Sequence, residues 1–163
     1  IKRSPTTRAL VENVILHCMT GIDSNPPRRL EWAQVKVRNY DPDTDNYLRG
    51  DIVTFNSYKT FKTYGRQIVT IDPKTMRTVR KLIKQSESDY LLTTVTGRGP
   101  MSASQLSSRL GSIFQNPKVG IDVIRSTYIT HVFRGAPGLS AAEELATAMG
   151  HSAATAQLHY RKL

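Results

Sequence analysis

Three chemically active side chains near the end of the chain constrain its fold and its chemistry more than any other feature. Arg125 begins an apolar, helix-like run, His151 follows Gly150, and Tyr160 lies three residues before the last residue. Arginine and histidine can bind a phosphate group, and a tyrosine phenol near a chain end can swing into line with that phosphate. Because these groups can attack a phosphodiester without a metal, the pattern predicts such a site. The residues between His151 and Tyr160 are typical of a capped helix.

The length and the charge of the chain restrict its architecture and its partners. At 163 residues the chain suits one compact domain, residues 1–163, with a core of its own. Lys and Arg number 23 against 13 acidic residues, so the formal charge is +10. This balance favours a polyanion as partner, because Lys and Arg release condensed counterions when they bind phosphates. A merely solvated basic surface is the alternative.

The single cysteine, Cys18, excludes an internal disulfide and indicates a reducing compartment. It lies among Val14, Ile15 and Met19, so we expect a packed core thiol rather than a nucleophile. No apolar run approaches the roughly 20 residues that span a bilayer, and no signal peptide is visible. We therefore expect an intracellular protein without a membrane segment. Since the first residue is Ile1 and not Met, we also expect the chain to be a piece of a longer protein.

The spacing of apolar residues predicts one α+β domain that is mostly helical. Ser4-Pro5 is a typical helix start, and apolar residues recur at helical spacing from there to Gly21. Three short stretches then alternate apolar and polar residues, which predicts a small three-stranded antiparallel sheet. The predicted strands are residues 35–39, 51–56 and 67–71, and further helices are predicted to begin at Pro73, Ser102, Asp122 and Ser140.

Several motifs together resemble the catalytic domain of the tyrosine recombinases. Residues 149–152, Met-Gly-His-Ser, closely match the family's Leu-Gly-His-Ser signature, and Tyr160 follows at the distance of the family's nucleophile. The family's first arginine stands in a Thr-Gly-x-Arg-x-x-Glu setting. Here Thr20-Gly21 precedes a longer loop, and Arg28 to Glu31 restores the Arg-x-x-Glu spacing. The resemblance covers nearly the whole chain and implies the family's fold.

By this resemblance, Arg28 is the first catalytic arginine and Arg125 is the second. Arg29 competes with Arg28, because adjacent arginines project in different directions and only one can face the phosphate. The second arginine usually stands in His-x-x-Arg, and here Asp122 replaces the histidine. An ionised aspartate repels a phosphate and cannot donate to it, so Asp122 either orients Arg125 or acts as the helix N-cap. The replacement predicts a slower enzyme. His131 is predicted to face the core.

The family's catalytic lysine lies in a β-hairpin, often in a Lys-Thr sequence. This chain has two such sequences, Lys59-Thr60 and Lys62-Thr63. Lys59 leaves the preceding strand at about the expected point and is the preferred candidate. Lys62 stays open as an alternative, because the register of a hairpin cannot be read from one sequence.

The resemblance implies a metal-free cleavage of DNA in which Tyr160 is the nucleophile. Arg28 and Arg125 would neutralise charge on the non-bridging phosphate oxygens, and His151 would hydrogen-bond the same phosphate. Lys59 or Lys62 would protonate the departing 5′ oxygen. The products would be a 3′-phosphotyrosyl link and a free 5′-hydroxyl, and no cofactor or metal is implied.

Double-stranded DNA is the partner that the charge and the resemblance imply. By resemblance, the full-length protein acts as a homotetramer on DNA, with an N-terminal DNA-clamping domain that residues 1–163 lack. We expect this chain alone to be monomeric, and we expect the protein to lie with DNA in a bacterial cytoplasm or a host nucleus. The long loop at residues 25–29 points weakly to a viral or mobile-element origin. Basic residues in 66–84 and 98–118 are either DNA backbone contacts or solvated helix faces.

Two other functions fit parts of the pattern. A type IB topoisomerase shares the chemistry and much of the residue set, although the small size of the chain favours a recombinase or integrase. A recombinase-like DNA-binding module that has lost cleavage is the non-enzyme alternative. Asp122 is its best support, and the presence of Arg28, Arg125, His151 and Tyr160 argues against it.

Overall fold

The structure is a computed structural model that describes residues 6–23, 26–27, 30–94 and 97–134, together with residue 144. Within these residues the chain forms five α-helices, one 3-10 helix and one four-stranded sheet. None of these helices is both long and apolar enough to cross a membrane. The helices are α1 (Thr7–Met19), α2 (Phe61–Tyr64), α3 (Pro73–Gln85), α4 (Ala103–Ile113) and α5 (Ile121–Phe133), the 3-10 helix is Leu30–Gln34, and the strands are β1 (Val35–Lys36), β2 (Asn46–Arg49), β3 (Ile52–Phe55) and β4 (Gln67–Thr70).

The sheet has four strands in the order β1-β2-β3-β4, so the predicted three-stranded antiparallel sheet was wrong in number and partly wrong in direction. The strand that the sequence did not reveal is β2, which lies between the first two predicted strands, residues 35–39 and 51–56. It is short, and its first three residues are all buried, so it lacks the alternation that marks a half-buried strand. The turn-rich loop after β1 carries the chain back to the start of that strand. β2 therefore runs parallel to β1, with Val35 opposite Asn46.

The core lies between the sheet and helices α1, α3 and α4. Helix α1 packs chiefly on α3 and also on α4, and it supplies the fully buried residues Val14, Ile15 and Met19. From the sheet side, the ring of Trp32 meets Phe55 edge to face, with 5.5 Å between the ring centroids. The burial of these apolar side chains is the main interaction that stabilises the packing of α1.

The helix starts follow the capping rules, with one shift. Asp72 caps α3, whose first residue is Pro73 as predicted, and Ser102 caps α4 through a reciprocal capping box with Gln105. Helix α1 begins at Thr7, because the side chain of Thr6 accepts a hydrogen bond from the backbone N–H of Ala9. The Ser4-Pro5 pair that predicted an earlier start lies outside the described residues.

Cys18 is a buried core thiol, as the sequence predicted. Burial, with a smaller contribution from the negative charge of Asp23, raises the pKa of the Cys18 thiol from 9.0 to about 12. A raised pKa means that the folded protein binds this proton more tightly than the unfolded chain. The stability that this group contributes is therefore complete below pH 9 and declines as the pH rises from 9 towards 12.

We expect Cys18 to resist alkylation until the chain unfolds. At pH 8 the shift from 9.0 to about 12 lowers the thiolate fraction about 1,000-fold, and burial hinders the reagent further. The measurement is iodoacetamide labelling followed by mass spectrometry, with the urea-unfolded chain as the control that reacts at the ordinary rate. Rapid labelling of the folded chain would contradict the buried placement.

Candidate active site

Arg125 is the strongest feature of the candidate site among the described residues. It lies in the second turn of α5, and its side chain is only 6% exposed. It is the one charged side chain that is buried in the part of the chain that the structure describes. A guanidinium stays charged at every physiological pH, so burying it is unfavourable unless acceptors surround it. Buried charge of this kind is concentrated at functional sites.

The segment that precedes Arg28 packs against the helix that carries Arg125. Gly21 has a φ of +80°, and a Cβ atom at this residue would lie 2.5 Å from Cδ2 of Tyr128. The same Cβ would lie 3.0 Å from Cδ of Pro27, which is buried and precedes Arg28 in the sequence. Tyr128 follows Arg125 by three residues, so it lies about one helical turn away on α5. The loop that leads to Arg28 therefore touches α5 beside the second arginine.

Hydrogen bonds fix the start of this loop to helices α1 and α3. Thr20 ends α1 with its hydroxyl donating to the carbonyl of Leu16. Asp23 then accepts a hydrogen bond from the Thr75 hydroxyl at 3.2 Å, and its other carboxylate oxygen lies 3.4 Å from Nδ1 of His17. Asp23 thus connects the end of α1 to the first turn of α3, which limits the paths that the loop can take.

Glu31, the acidic residue of the Arg-x-x-Glu spacing, lies half-buried on the 3-10 helix. Its Oε2 atom is buried and accepts no hydrogen bond within the described part of the chain. A buried carboxylate oxygen ordinarily requires a donor or a cation. The Arg-x-x-Glu spacing identified Glu31 in the sequence, but the sequence did not reveal that its Oε2 atom is buried.

The two candidate lysines lie on the loop between β3 and β4, whose base is held by two buried asparagines. Asn46, which is 2% exposed, accepts hydrogen bonds from the backbone N–H groups of Asn56 and Ser57 at 2.8 and 2.7 Å. The side chain of Asn56 donates to the carbonyls of Pro42 and Asp45 and accepts from Arg66. Both ends of the loop are therefore fixed to the turn before β2.

Lys59 and Lys62 project from the outer part of this loop, and both are exposed. Lys59 lies in the turn before α2, whereas Lys62 lies within that short helix. Below them, the Tyr58 hydroxyl donates to the carbonyl of Gly65, and the Tyr58 ring packs edge to face on Phe61. Neither lysine forms a hydrogen bond or an ion pair in the described structure, so each is available to a ligand.

The structure corrects two expectations for α5. Gly120 is the residue at the N-cap position, so Asp122 does not cap the helix; it lies exposed in the first turn. An acidic residue there still interacts favourably with the helix dipole. His131 is exposed rather than directed into the core, because the buried side of α5 is formed by Ile121, Ile124 and Ile129.

Four of the predicted site residues have no described position. Arg28, its competitor Arg29, His151 and Tyr160 all lie outside the described residues. The structure therefore brings together the neighbours of Arg28 and the helix of Arg125. Among the described residues, no group of three or more His, Cys, Asp or Glu side chains is arranged to hold a metal ion.

We expect Gly21→Ala to destabilise the fold more than a matched glycine substitution does. Gly50 also has a positive φ, +65°, but a Cβ there would meet no atom within 4 Å. Gly50→Ala should lower the free energy of unfolding by about 1 kcal/mol through backbone strain alone. Gly21→Ala should lower it by about 2–4 kcal/mol, because the new methyl group also collides with Tyr128. Urea unfolding of both variants is the measurement, and equal losses would argue against the packing on α5.

No family model matches the chain, and no curated protein matches its sequence. Solved structures do match. One is the crystal structure of XerA recombinase, which superposes with a TM-score of 0.60 at 18% sequence identity. The match covers 98% of this chain and 58% of that chain, so this chain spans a little more than half the length of its structural neighbour. The described helices and sheet thus belong to a fold that is also found in a recombinase.

Proposed function

We propose that residues 1–163 are the catalytic domain of a site-specific DNA recombinase or integrase of the tyrosine class. Its reaction is the cleavage and rejoining of DNA strands without a metal or cofactor. The observation that carries this proposal is the buried guanidinium of Arg125 on α5, next to the loop that leads to Arg28. The recombinase-like fold and the formal charge of +10 support it.

The two arginines neutralise the charge that develops during attack on the phosphodiester. In the five-coordinate transition state, negative charge grows on the two non-bridging oxygens. A guanidinium can present two parallel N–H groups to such oxygens. Arg125 is buried in the packing of α5, which supports one donor that is fixed before the substrate arrives, and we assign the second donor to Arg28. Preorganised donors of this kind lower the barrier because they need no reorganisation during the reaction.

Tyr160 forms the covalent intermediate, and a lysine completes the step. The phenolic oxygen of Tyr160 attacks the scissile phosphorus and becomes bonded to it, while the bond from phosphorus to the 5′ oxygen breaks. His151 hydrogen-bonds the phosphate and assists removal of the phenolic proton. Lys59 or Lys62 gives a proton to the departing 5′ oxygen. The new 3′-phosphotyrosyl bond keeps the energy of the cleaved bond, so a 5′-hydroxyl from another strand can reverse the step.

The partner of the domain is double-stranded DNA, and the active assembly is a homotetramer formed by the full-length protein. An N-terminal domain that clamps DNA supplies much of the sequence specificity. The coverage of only 58% of the XerA chain is compatible with further domains in the parent protein. By itself the chain is monomeric in solution and binds DNA weakly. Its place in the cell is with DNA, in a bacterial cytoplasm or a host nucleus, and its origin is a virus or mobile element.

Asp122 favours a second candidate function, that of a recombinase-like module that binds DNA without cutting it. The residue is exposed at the first turn of α5, in the place where the recombinase pattern has a histidine that can donate to the phosphate. Its negative charge would repel a phosphate bound near Arg125. The covalent test described next separates this function from cleavage, and relaxation of supercoiled DNA without a specific site would instead identify a type IB topoisomerase.

We expect a covalent adduct with DNA that depends on Tyr160. The chain at high concentration, or its full-length parent, is incubated with a pool of nicked suicide substrates, in which the 5′-hydroxyl fragment diffuses away and traps the intermediate. A denaturant-resistant protein–DNA species should form with the native chain and disappear in Tyr160→Phe. Arg125→Ala should reduce its formation at least ~100-fold, in line with the loss of one transition-state donor.

Binding must be measured beside cleavage in this experiment. Tyr160→Phe differs from the native chain by one oxygen atom, so it should retain DNA binding and serve as the matched control. If the full-length parent binds DNA and gives no adduct, the result would attribute the loss of cleavage to Asp122 and would favour the binding-module function. An adduct that persists in Tyr160→Phe would exclude Tyr160 as the nucleophile.

A substrate with a sulfur leaving group should identify the catalytic lysine. Replacing the bridging 5′ oxygen with sulfur produces a thiolate leaving group, whose conjugate acid has a pKa of roughly 8.5 and which needs no proton donor. We expect Lys59→Ala to cleave the ordinary substrate slowly and the sulfur substrate at nearly the native rate. Lys62→Ala, three residues away on the same loop, is the matched control and should affect both substrates equally. The reverse pattern would assign the role to Lys62.

A further inference from the structure

Helix α3 carries five basic side chains on the face opposite to its buried side. Its buried residues include Met76, Val79 and Leu82. With 3.6 residues per turn, the basic residues fall within an arc of about 120° on the other side of the helix. All five are exposed: Lys74, Arg77, Arg80, Lys81 and Lys84. We call this surface the α3 basic face.

The charges of the α3 basic face are not used within the described structure. The helix contains no acidic residue, and none of the five side chains forms a hydrogen bond or an ion pair with another described residue. Arg66 provides the contrast. It lies in the same basic stretch of the sequence but donates to Asn56 and to the carbonyl of Pro42. The structure therefore separates an arginine that has partners within the protein from a row of exposed cations that have none among the described residues.

This arrangement opposes helix stability. Like charges four residues apart repel, as Arg77 and Lys81 do, and so do Arg80 and Lys84. Lys74 lies in the first turn, where the positive end of the helix dipole disfavours a cation, whereas Lys84 lies in the last turn, where the dipole favours one. A solvated helix face is ordinarily mixed in charge, because alternating signs stabilise it. On a face with only positive charge, the repulsion between the side chains is relieved when a polyanion binds.

The α3 basic face lies on the side of the helix away from the candidate-site loop. The first turn of α3 is tied to the loop before Arg28 from its buried side, because the hydroxyl of the buried Thr75 donates to Asp23. From Lys74 at that end, the basic face extends to Lys84, ten residues and about 15 Å further along the axis. At 3.4 Å per base pair, this length equals about four base pairs of duplex DNA.

We propose that the α3 basic face binds the phosphate backbone of duplex DNA outside the cleaved position. The contacts are electrostatic and independent of sequence, since flexible Lys and Arg side chains on one helix face meet phosphates rather than base edges. The face is a DNA-binding surface separate from the Arg125 site, and it adds affinity to a domain that otherwise binds weakly. This binding does not require that the chain cleaves DNA, so the inference stands or falls separately from the proposed reaction.

The test is the salt dependence of DNA binding by a double variant of the whole chain. Arg77→Gln/Lys81→Gln removes two central charges from the face and leaves every proposed catalytic residue unchanged. Each lost phosphate contact should make the negative slope of log K against log salt less steep by about 0.9. The slope of the double variant should therefore be less steep than the native slope by about 1.8. Between about 50 and 200 mM salt, native affinity should therefore decline about 12-fold more than that of the variant. Fluorescence anisotropy with a duplex of arbitrary sequence gives both values.

A second double variant controls for net charge. Arg8→Gln/Arg49→Gln removes the same two charges from exposed side chains that already have internal partners, Glu12 for Arg8 and Tyr40 for Arg49. We expect the slope of this control to stay close to the native slope. Equal slopes in the two variants would overturn the proposal, because net charge and not the face would then govern binding. An unchanged slope in Arg77→Gln/Lys81→Gln would overturn it as well.

Thermal unfolding shows whether the α3 variant is intact. Since the substitutions remove repulsion from an exposed helix face, its melting temperature should equal or exceed that of the native chain. Weaker DNA binding by a chain that melts no earlier supports a binding role for the face. A lower melting temperature would contradict the repulsive arrangement from which the proposal is argued.

Discussion

The contact between Gly21 and Tyr128 is the constraint on which the candidate site depends. Only a residue without a side chain can bring the end of α1 this close to α5, and the positive φ of Gly21 turns the chain into the loop before Arg28 at the same point. The hydrogen bonds of Asp23 to α1 and α3 then hold that loop against the core. One small residue thus couples two arginine-bearing segments that are distant in the sequence.

Charge is divided in this protein between one buried position and many exposed ones. Arg125 is held within the fold, and in the proposed function its fixed guanidinium acts on a reacting phosphate. The cations of α3 face solvent, where they can exchange counterions for the phosphates of a bound duplex. The first arrangement suits catalysis, which requires fixed donors. The second suits affinity without specificity, which requires only charge density.

The sequence predicted those elements whose signals are local. The starts of α3 and α4 follow from Pro73 and from the capping box at Ser102, and the helical spacing of the first segment predicted a buried Cys18. It failed at β2, a short strand whose three consecutive buried residues do not show the alternation that marks a half-buried strand. The packing that buries them comes from neighbouring strands, and neighbouring strands are not visible in a local pattern.

The sequence by itself determined the kinds of chemical group that this protein contains. Its basic charge and its arginine, histidine and tyrosine motifs are properties of residue identity and spacing. Only the tertiary structure decided that Arg125 is buried, that Gly120 rather than Asp122 occupies the N-cap position, and that Gly21 meets α5. The physical reason is that burial and contact depend on elements far apart in the chain, and their relative positions are set by packing of the whole core.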